Sequence, residues 1–166
     1  MQTRIDEVSP CRSPHGRQGG FTMTELMVSL AIAAILTTVA LPSFQGIIAT
    51  QRARTYASTL YATLAKARSA AITLNANVTL QPKTGGWQTG WQILDVNGNV
   101  LDDYTAATGV NVPTPPAAVT YRPSGRLPAG AAPMFQINTA SGATTNYQCV
   151  SVDPSGRPYM KPTHTC

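Results

Sequence analysis

The chain has 166 residues, 43% of them apolar, enough for one packed domain plus an attachment segment, which excludes a disordered tail. Charged residues make up 11%, against the ~25% usual in soluble domains, while Gly and Pro contribute 13 each. That composition counts against a cytosolic helical enzyme and fits an exported, β-rich domain, and the formal charge of +5 includes an arginine-bearing N-terminus.

Residues 1–20 carry Arg4, Arg12 and Arg17, show no apolar periodicity and end in Gly19-Gly20, so they read as a leader. Residues 21–41 then hold a single charge, Glu25, and would span about 31 Å as a helix, one bilayer core. The basic residues upstream keep the leader in the cytoplasm and send everything after Leu41 across the membrane. Thr38-Val39-Ala40 offers a different route, release by signal peptidase with a mature start at Leu41. Two features oppose it: the apolar run exceeds the ~7–15 residues of a signal core, and Glu25 sits inside it. A carboxylate in lipid costs roughly 2.5 kcal/mol or more, so Glu25 needs a cation. Cleavage between Gly20 and Phe21 supplies one, because the new α-amino group lies four residues before Glu25.

Gly20-Phe21-Thr22-Met23-Thr24-Glu25-Leu26 resembles the class III leader junction of type IV pilins and type II secretion pseudopilins. The resemblance implies that a prepilin peptidase cuts after Gly20 and methylates Phe21. It also implies that Glu25 pairs with the N-terminal amine of a neighbouring subunit, for assembly. Pro42 stands where this family places its helix kink, and a proline ring there removes a backbone donor and clashes with the preceding turn.

Over 42–75 the apolar positions Phe44, Ile47, Ile48, Tyr56, Ala57, Leu60, Tyr61, Leu64, Ala67, Ala71 and Ile72 recur every three or four residues, predicting an amphipathic helix. Gln51, Arg52, Arg54, Thr55, Ser58, Thr59, Thr63 and Lys66 form its polar face, read as solvated and without a ligand. From Asn77 the signals switch to strands at 78–80, 87–96, 99–101, 118–121, 134–138 and 147–152. Asn97-Gly98 marks a hairpin, and Pro113, Pro115 and Pro116 make 105–117 a loop. An internal echo pairs Tyr121-Arg122-Pro123-Ser124-Gly125-Arg126 with Val152-Asp153-Pro154-Ser155-Gly156-Arg157; each is a strand followed by turn chemistry.

Ala65-Lys66-Ala67-Arg68-Ser69-Ala70-Ala71-Ile72, the Trp87-Gln88-Thr89-Gly90-Trp91 segment and the Pro-Ser-Gly-Arg turns together resemble the FimT/FimU and GspH group of minor pilins and minor pseudopilins. The resemblance implies an α+β chain with the type IV pilin fold, a long N-terminal helix packed on a small, mostly antiparallel sheet head at 76–166. It implies a subunit near a filament tip, with other major and minor pilins and the prepilin peptidase as partners. The implied location is the inner membrane with the head in the periplasm, then the pilus. A minor pseudopilin of a type II secretion system shares every N-terminal feature and stays open.

Once the leader takes Cys11 away, Cys149 and Cys166 remain, and an even count in an oxidising periplasm predicts a disulfide. Only His164 persists as a histidine, so no zinc spacing is present and no metal or cofactor is expected. Asp95-Val96-Asn97-Gly98-Asn99 with Asp102-Asp103 departs from a calcium loop, because Val100 and Ala106 replace its glycine and closing glutamate. No Ser, His and acid set, phosphate loop or metal cluster supports catalysis, so no enzyme is expected. Arg157 and Lys161 flank Tyr159 near the C-terminus, a pattern suited to DNA, with a charged solvated turn as the plainer reading. In related FimT subunits a Gly-Arg-x-Arg segment is associated with DNA capture; Gly156-Arg157-Pro158-Tyr159 keeps its first arginine. Arg122 and Arg126 would extend the patch if the two echoed turns lie side by side.

Overall fold

The computed structural model describes residues 20–130, 132–141 and 144–166, with the side chains of 39–43, 141 and 144 left outside. The leader expected at 1–20 therefore lies outside the described residues apart from Gly20, as does Cys11. The chain divides into two compact units, Met1–Val39 and Ala40–Cys166.

A single helix, α1 (Met23–Leu74), covers both expected helical segments. Thr22 caps its start: its Oγ1 accepts from the Glu25 N–H at 3.2 Å, and the Glu25 carboxylate accepts from the Thr22 N–H at 3.0 Å. That is a capping box, in which two orphan donors are satisfied reciprocally. Its end is equally defined. Asn75 takes φ +47° while its N–H bonds the Ile72 carbonyl and that of Ala76 reaches Ala71, a Schellman closure. Helical backbone runs through Pro42, and the expected kink falls among residues 39–43, whose side chains lie outside those described.

In the first unit Met23, Leu26, Met27, Val28, Leu30, Ile32, Ile35 and Leu36 are all exposed. Among the described residues no helix is long and apolar enough to cross a membrane. The expected 21–41 span reaches into residues 39–43, whose side chains lie outside those described, while α1 itself runs on without a break to Leu74.

The second unit packs the later part of α1 on seven strands: β1 (Val78–Pro82), β2 (Gly90–Leu94), β3 (Val100–Thr105), β4 (Val119–Tyr121), β5 (Met134–Ser141), β6 (Thr144–Val152) and β7 (Pro158–Lys161). They form two antiparallel sheets, ordered β3-β2-β1-β4 and β5-β6-β7, where a single sheet was expected. Pro123, Gly125, Pro128, Gly130 and Pro133 lie between β4 and β5, a stretch unable to continue a ladder. The 87–96 strand begins only at Gly90, because residues 83–89 make two successive turns closed by Gly86 to Lys83 and Thr89 to Gly86. β7 was not foreseen; it is four residues long and opens on a proline, tolerated at a strand's first position.

Ala53, Tyr56, Ala57, Leu60, Leu64, Ala67 and Ala71 are buried along one stripe of α1. They meet Val78, Leu80, Ile93 and Val119 from one sheet and Phe135, Ile137, Val150 and Val152 from the other. Trp87 and Trp91 fill the space between: Trp91 meets Tyr56 edge-on at 5.1 Å and Trp87 meets Phe135 at 4.7 Å. The Tyr56 hydroxyl donates to the Trp87 carbonyl at 2.8 Å, and the Trp87 indole donates to Pro116 at 2.7 Å, which pins the proline-rich loop.

Part of the expected apolar face is corrected. Phe44, Ile47, Ile48, Tyr61 and Ile72 are exposed, while Thr63, assigned to solvent, is buried with its hydroxyl bonded back to Thr59 at 2.8 Å. The stripe that meets the sheets is narrower than the run of apolar residues, and it begins at Ala49, whose carbonyl accepts from Thr139 at 2.9 Å. Leu64 lies at the centre of this stripe, so Leu64→Ala should destabilise the chain by about 2–5 kcal/mol, read by denaturant unfolding of the full chain in neutral detergent.

Candidate functional site

The echoed turns repeat in geometry as well as in sequence. In the first, Gly125 N–H bonds the Arg122 carbonyl at 2.8 Å and Arg122 N–H bonds Arg126 at 2.9 Å. In the second, Gly156 bonds Asp153 at 2.9 Å and Asp153 bonds Arg157 at 3.0 Å. Both glycines have left-handed backbones, φ +69° and +85°. The turns pack against each other so closely that a Cβ on Gly156 would collide with the Gly125 carbonyl.

One side chain of α1 ties them. Arg68 donates from Nε to the Gly125 carbonyl at 3.0 Å and from its terminal guanidinium nitrogen to Ser155 at 3.3 Å. Beneath this staple the Tyr121 hydroxyl is buried without a hydrogen-bond partner among the described residues, and burial pushes its phenol well above the ordinary value. The turns differ at one position, Asp153 against Arg122. Asp153 accepts from the Ser155 hydroxyl at 2.7 Å and the Arg157 N–H at 2.9 Å, and these bonds hold its carboxyl below the usual range.

Charge is distributed unevenly between residue types. Lys66 pairs with Asp102, which also accepts from the Tyr104 hydroxyl at 2.7 Å, and Lys83 pairs with Asp103. These hydrogen bonds from lysine lower both carboxyls. They are the only ion pairs among the described residues, so Arg122, Arg126 and Arg157 stand exposed without a carboxylate within 4.0 Å. Lys161 is separate from them: its ammonium donates to the Cys166 carbonyl at 3.0 Å and lies 5.5 Å over the Tyr159 ring. The structure thus brings together Arg122, Arg126 and Arg157, adds Arg68, and commits Lys161 to its own tail. Sequence reasoning passed over Arg68 because its place at the edge of an apolar stripe marks a helix boundary as readily as a site.

Cys149 and Cys166 are joined, with Cα atoms 5.6 Å apart, which folds the C-terminal tail onto β6. At the β2–β3 hairpin, Asp95 accepts from Asn97 N–H, Asn99 N–H and the Asn99 amide, each at 2.8 Å, so the acidic run there is spent on the turn. At the other end of the chain Glu25 has its local partner, Thr22, and Gly20 and Phe21 precede the helix as exposed residues.

Substitution Gly156→Ala should force the two turns apart, since both the left-handed backbone and the missing space oppose a methyl group. We expect a loss of stability above the few tenths of a kcal/mol typical of exposed sites, roughly 1–3 kcal/mol, measured by thermal unfolding, with Ser155→Ala nearly neutral beside it.

Residues 56–156 match the family described as Type II transport protein GspH, and residues 15–41 match the prokaryotic N-terminal methylation motif. The type IV minor pilin FimU of Pseudomonas aeruginosa aligns with a TM-score of 0.55 at 22% identity, over 68% of this chain and 98% of that one. A second crystal form of FimU gives 0.54 at 21%, over 68% and 93%. The minor pseudopilin EpsH of the Vibrio cholerae Type 2 Secretion System aligns with a TM-score of 0.51 at 12%, over 67% and 97%. At such identities the likeness is one of fold, a long helix on antiparallel sheets. No curated protein matches the chain in sequence. Because the GspH match runs over more than half of the residues and the methylation motif precedes it, the chain belongs to the GspH family of pilin-like type II transport proteins.

Proposed function

We propose that the protein is a minor pilin, a structural subunit at the tip or in the priming complex of a type IV pilus, that works by interaction without turnover. The observation carrying this reading is the first unit, where apolar side chains from Met23 to Leu36 are exposed on a helix opened by Glu25 inside a methylation motif. Such a surface is stable only when covered, first by lipid and then by the helices of neighbouring subunits. Cleavage between Gly20 and Phe21 would free an amine to neutralise Glu25 of the adjacent copy and set the axial register. A type II secretion pseudopilin would use the same machinery, and the GspH match favours that second reading.

The capping box makes the charge separable from the cap. Glu25→Gln keeps a side chain able to accept from the Thr22 N–H but removes the negative charge. A folded head with failed incorporation into filaments is the expected result, scored by immunoblot of sheared pili against whole cells. Normal incorporation would mean that the cap, and not the charge, is what assembly requires.

DNA capture by Arg122, Arg126 and Arg157 is the finer part of the proposal, supported by the close packing of their two turns and by the absence, among the described residues, of a carboxylate within 4.0 Å of these guanidinium groups. Contacts of this kind neutralise phosphates and are blind to sequence. In electrophoretic shifts with the full chain in neutral detergent, Arg126→Gln with Arg157→Gln should weaken binding and flatten the slope of log K against log salt by about 1–2. Unchanged retardation would remove the role.

A further inference from the structure

Three open cavities follow one another along a flank of α1 in the second unit. The first, about 410 Å³, is lined by Tyr61, Arg68 and Ser69 of the helix and by Arg157 and Pro158 at the start of β7. The second, about 430 Å³, lies between Arg54 and Ser58 of the helix and Met160 of β7. The third, about 470 Å³, runs from Arg54 to Asn146, Tyr147 and His164. Arg54 and the buried Gln148 line both of the latter, which are therefore continuous. Positions 54, 58, 61, 65 and 68 recur every three or four residues, so they form one stripe of the helix. Arg54 and Arg68 are separated along it by about 21 Å at the usual helical rise.

No carboxylate lines any of the three cavities among the described residues. The two ion pairs among the described residues are both made by lysines, so the arginine charge along the trough is drawn into neither. Its aromatic members are open to contact: Tyr61 is 40% exposed, and Tyr147, 43% exposed, has His164 edge-on at 5.8 Å. Arg157 belongs both to the trough and to the twin-turn patch, so the two surfaces join.

We infer that this trough is the path of a single extended strand of nucleic acid running from the twin turns to Arg54, a conclusion that rests on the DNA-binding reading and gives it a direction. Spaced cations track a phosphodiester backbone, and exposed aromatic faces stack unpaired bases, the combination that single-strand binders use. Gln148 on the floor offers a donor and an acceptor to base edges. Arg54, read from the sequence as part of a solvated face, becomes the distal anchor.

The test is fluorescence anisotropy of a labelled 30-nucleotide single strand, and of the same sequence as a duplex, with the full chain in neutral detergent across a salt series. Arg54→Gln should weaken single-strand binding about three- to tenfold and flatten the salt slope by about 0.7, the loss of one phosphate contact. Arg54→Lys should restore most of it. Arg52→Gln, an equal charge loss on another face of the helix, should change nothing. If Arg54→Gln binds like the wild type, or if Arg52→Gln weakens binding equally, the path is wrong while the twin-turn patch stands. Tighter binding of the duplex than of the single strand also overturns the path. A wild-type chain that binds neither form overturns the path and the patch together.

Discussion

The second unit depends on how closely α1 approaches two sheets at once. Four alanines, Ala53, Ala57, Ala67 and Ala71, share the buried stripe with Tyr56, Leu60 and Leu64. Small residues let the helix backbone come near the strands, while the larger ones interdigitate with Leu80, Ile93, Phe135 and Val150. Trp87 and Trp91 occupy the junction that neither sheet fills, and the hydroxyl and indole hydrogen bonds of Tyr56 and Trp87 place the proline-rich loop over it. With that seam fixed, the position of Arg68 is fixed too, one helical turn from Leu64 and from Ala71.

The twin turns follow from the seam. β4 belongs to one sheet and β6 to the other, and each is followed, one residue on, by the same Pro-Ser-Gly sequence. Because the two sheets are held on one helix, their turns arrive side by side, and Arg68 bonds a carbonyl from each. The convergence of arginines is therefore a product of packing between sheets, not of any local motif.

This explains which features were legible in the sequence. The long helix, its end at Asn75, the Asn97-Gly98 hairpin and most strands are written in local periodicity and turn chemistry, and they appear where expected. So does the tether from Cys149 to Cys166, which follows from counting thiols. The division into two sheets, the burial of Thr63, the exposure of Phe44 and Ile47 and the existence of β7 depend on where separate elements meet. Periodicity names a face without saying what lies opposite it. Arg54 and Arg68 were hidden for that reason, since a cation on a helix carries no mark of the wall it will face.

The separate fates of lysine and arginine have a chemical consequence. Each of the three lysines is engaged, two by aspartates and one by the Cys166 carbonyl, whereas among the described residues the guanidinium groups at the turns and along the trough form no ion pair within 4.0 Å. Reagents that acylate amines would strip Asp102 and Asp103 of their cations and free the Cys166 carbonyl from Lys161, leaving the guanidinium groups to carry the positive charge of the described residues. A dicarbonyl that condenses with guanidines would act at the turns and the trough instead, and at Arg68 it would also undo the staple between Gly125 and Ser155.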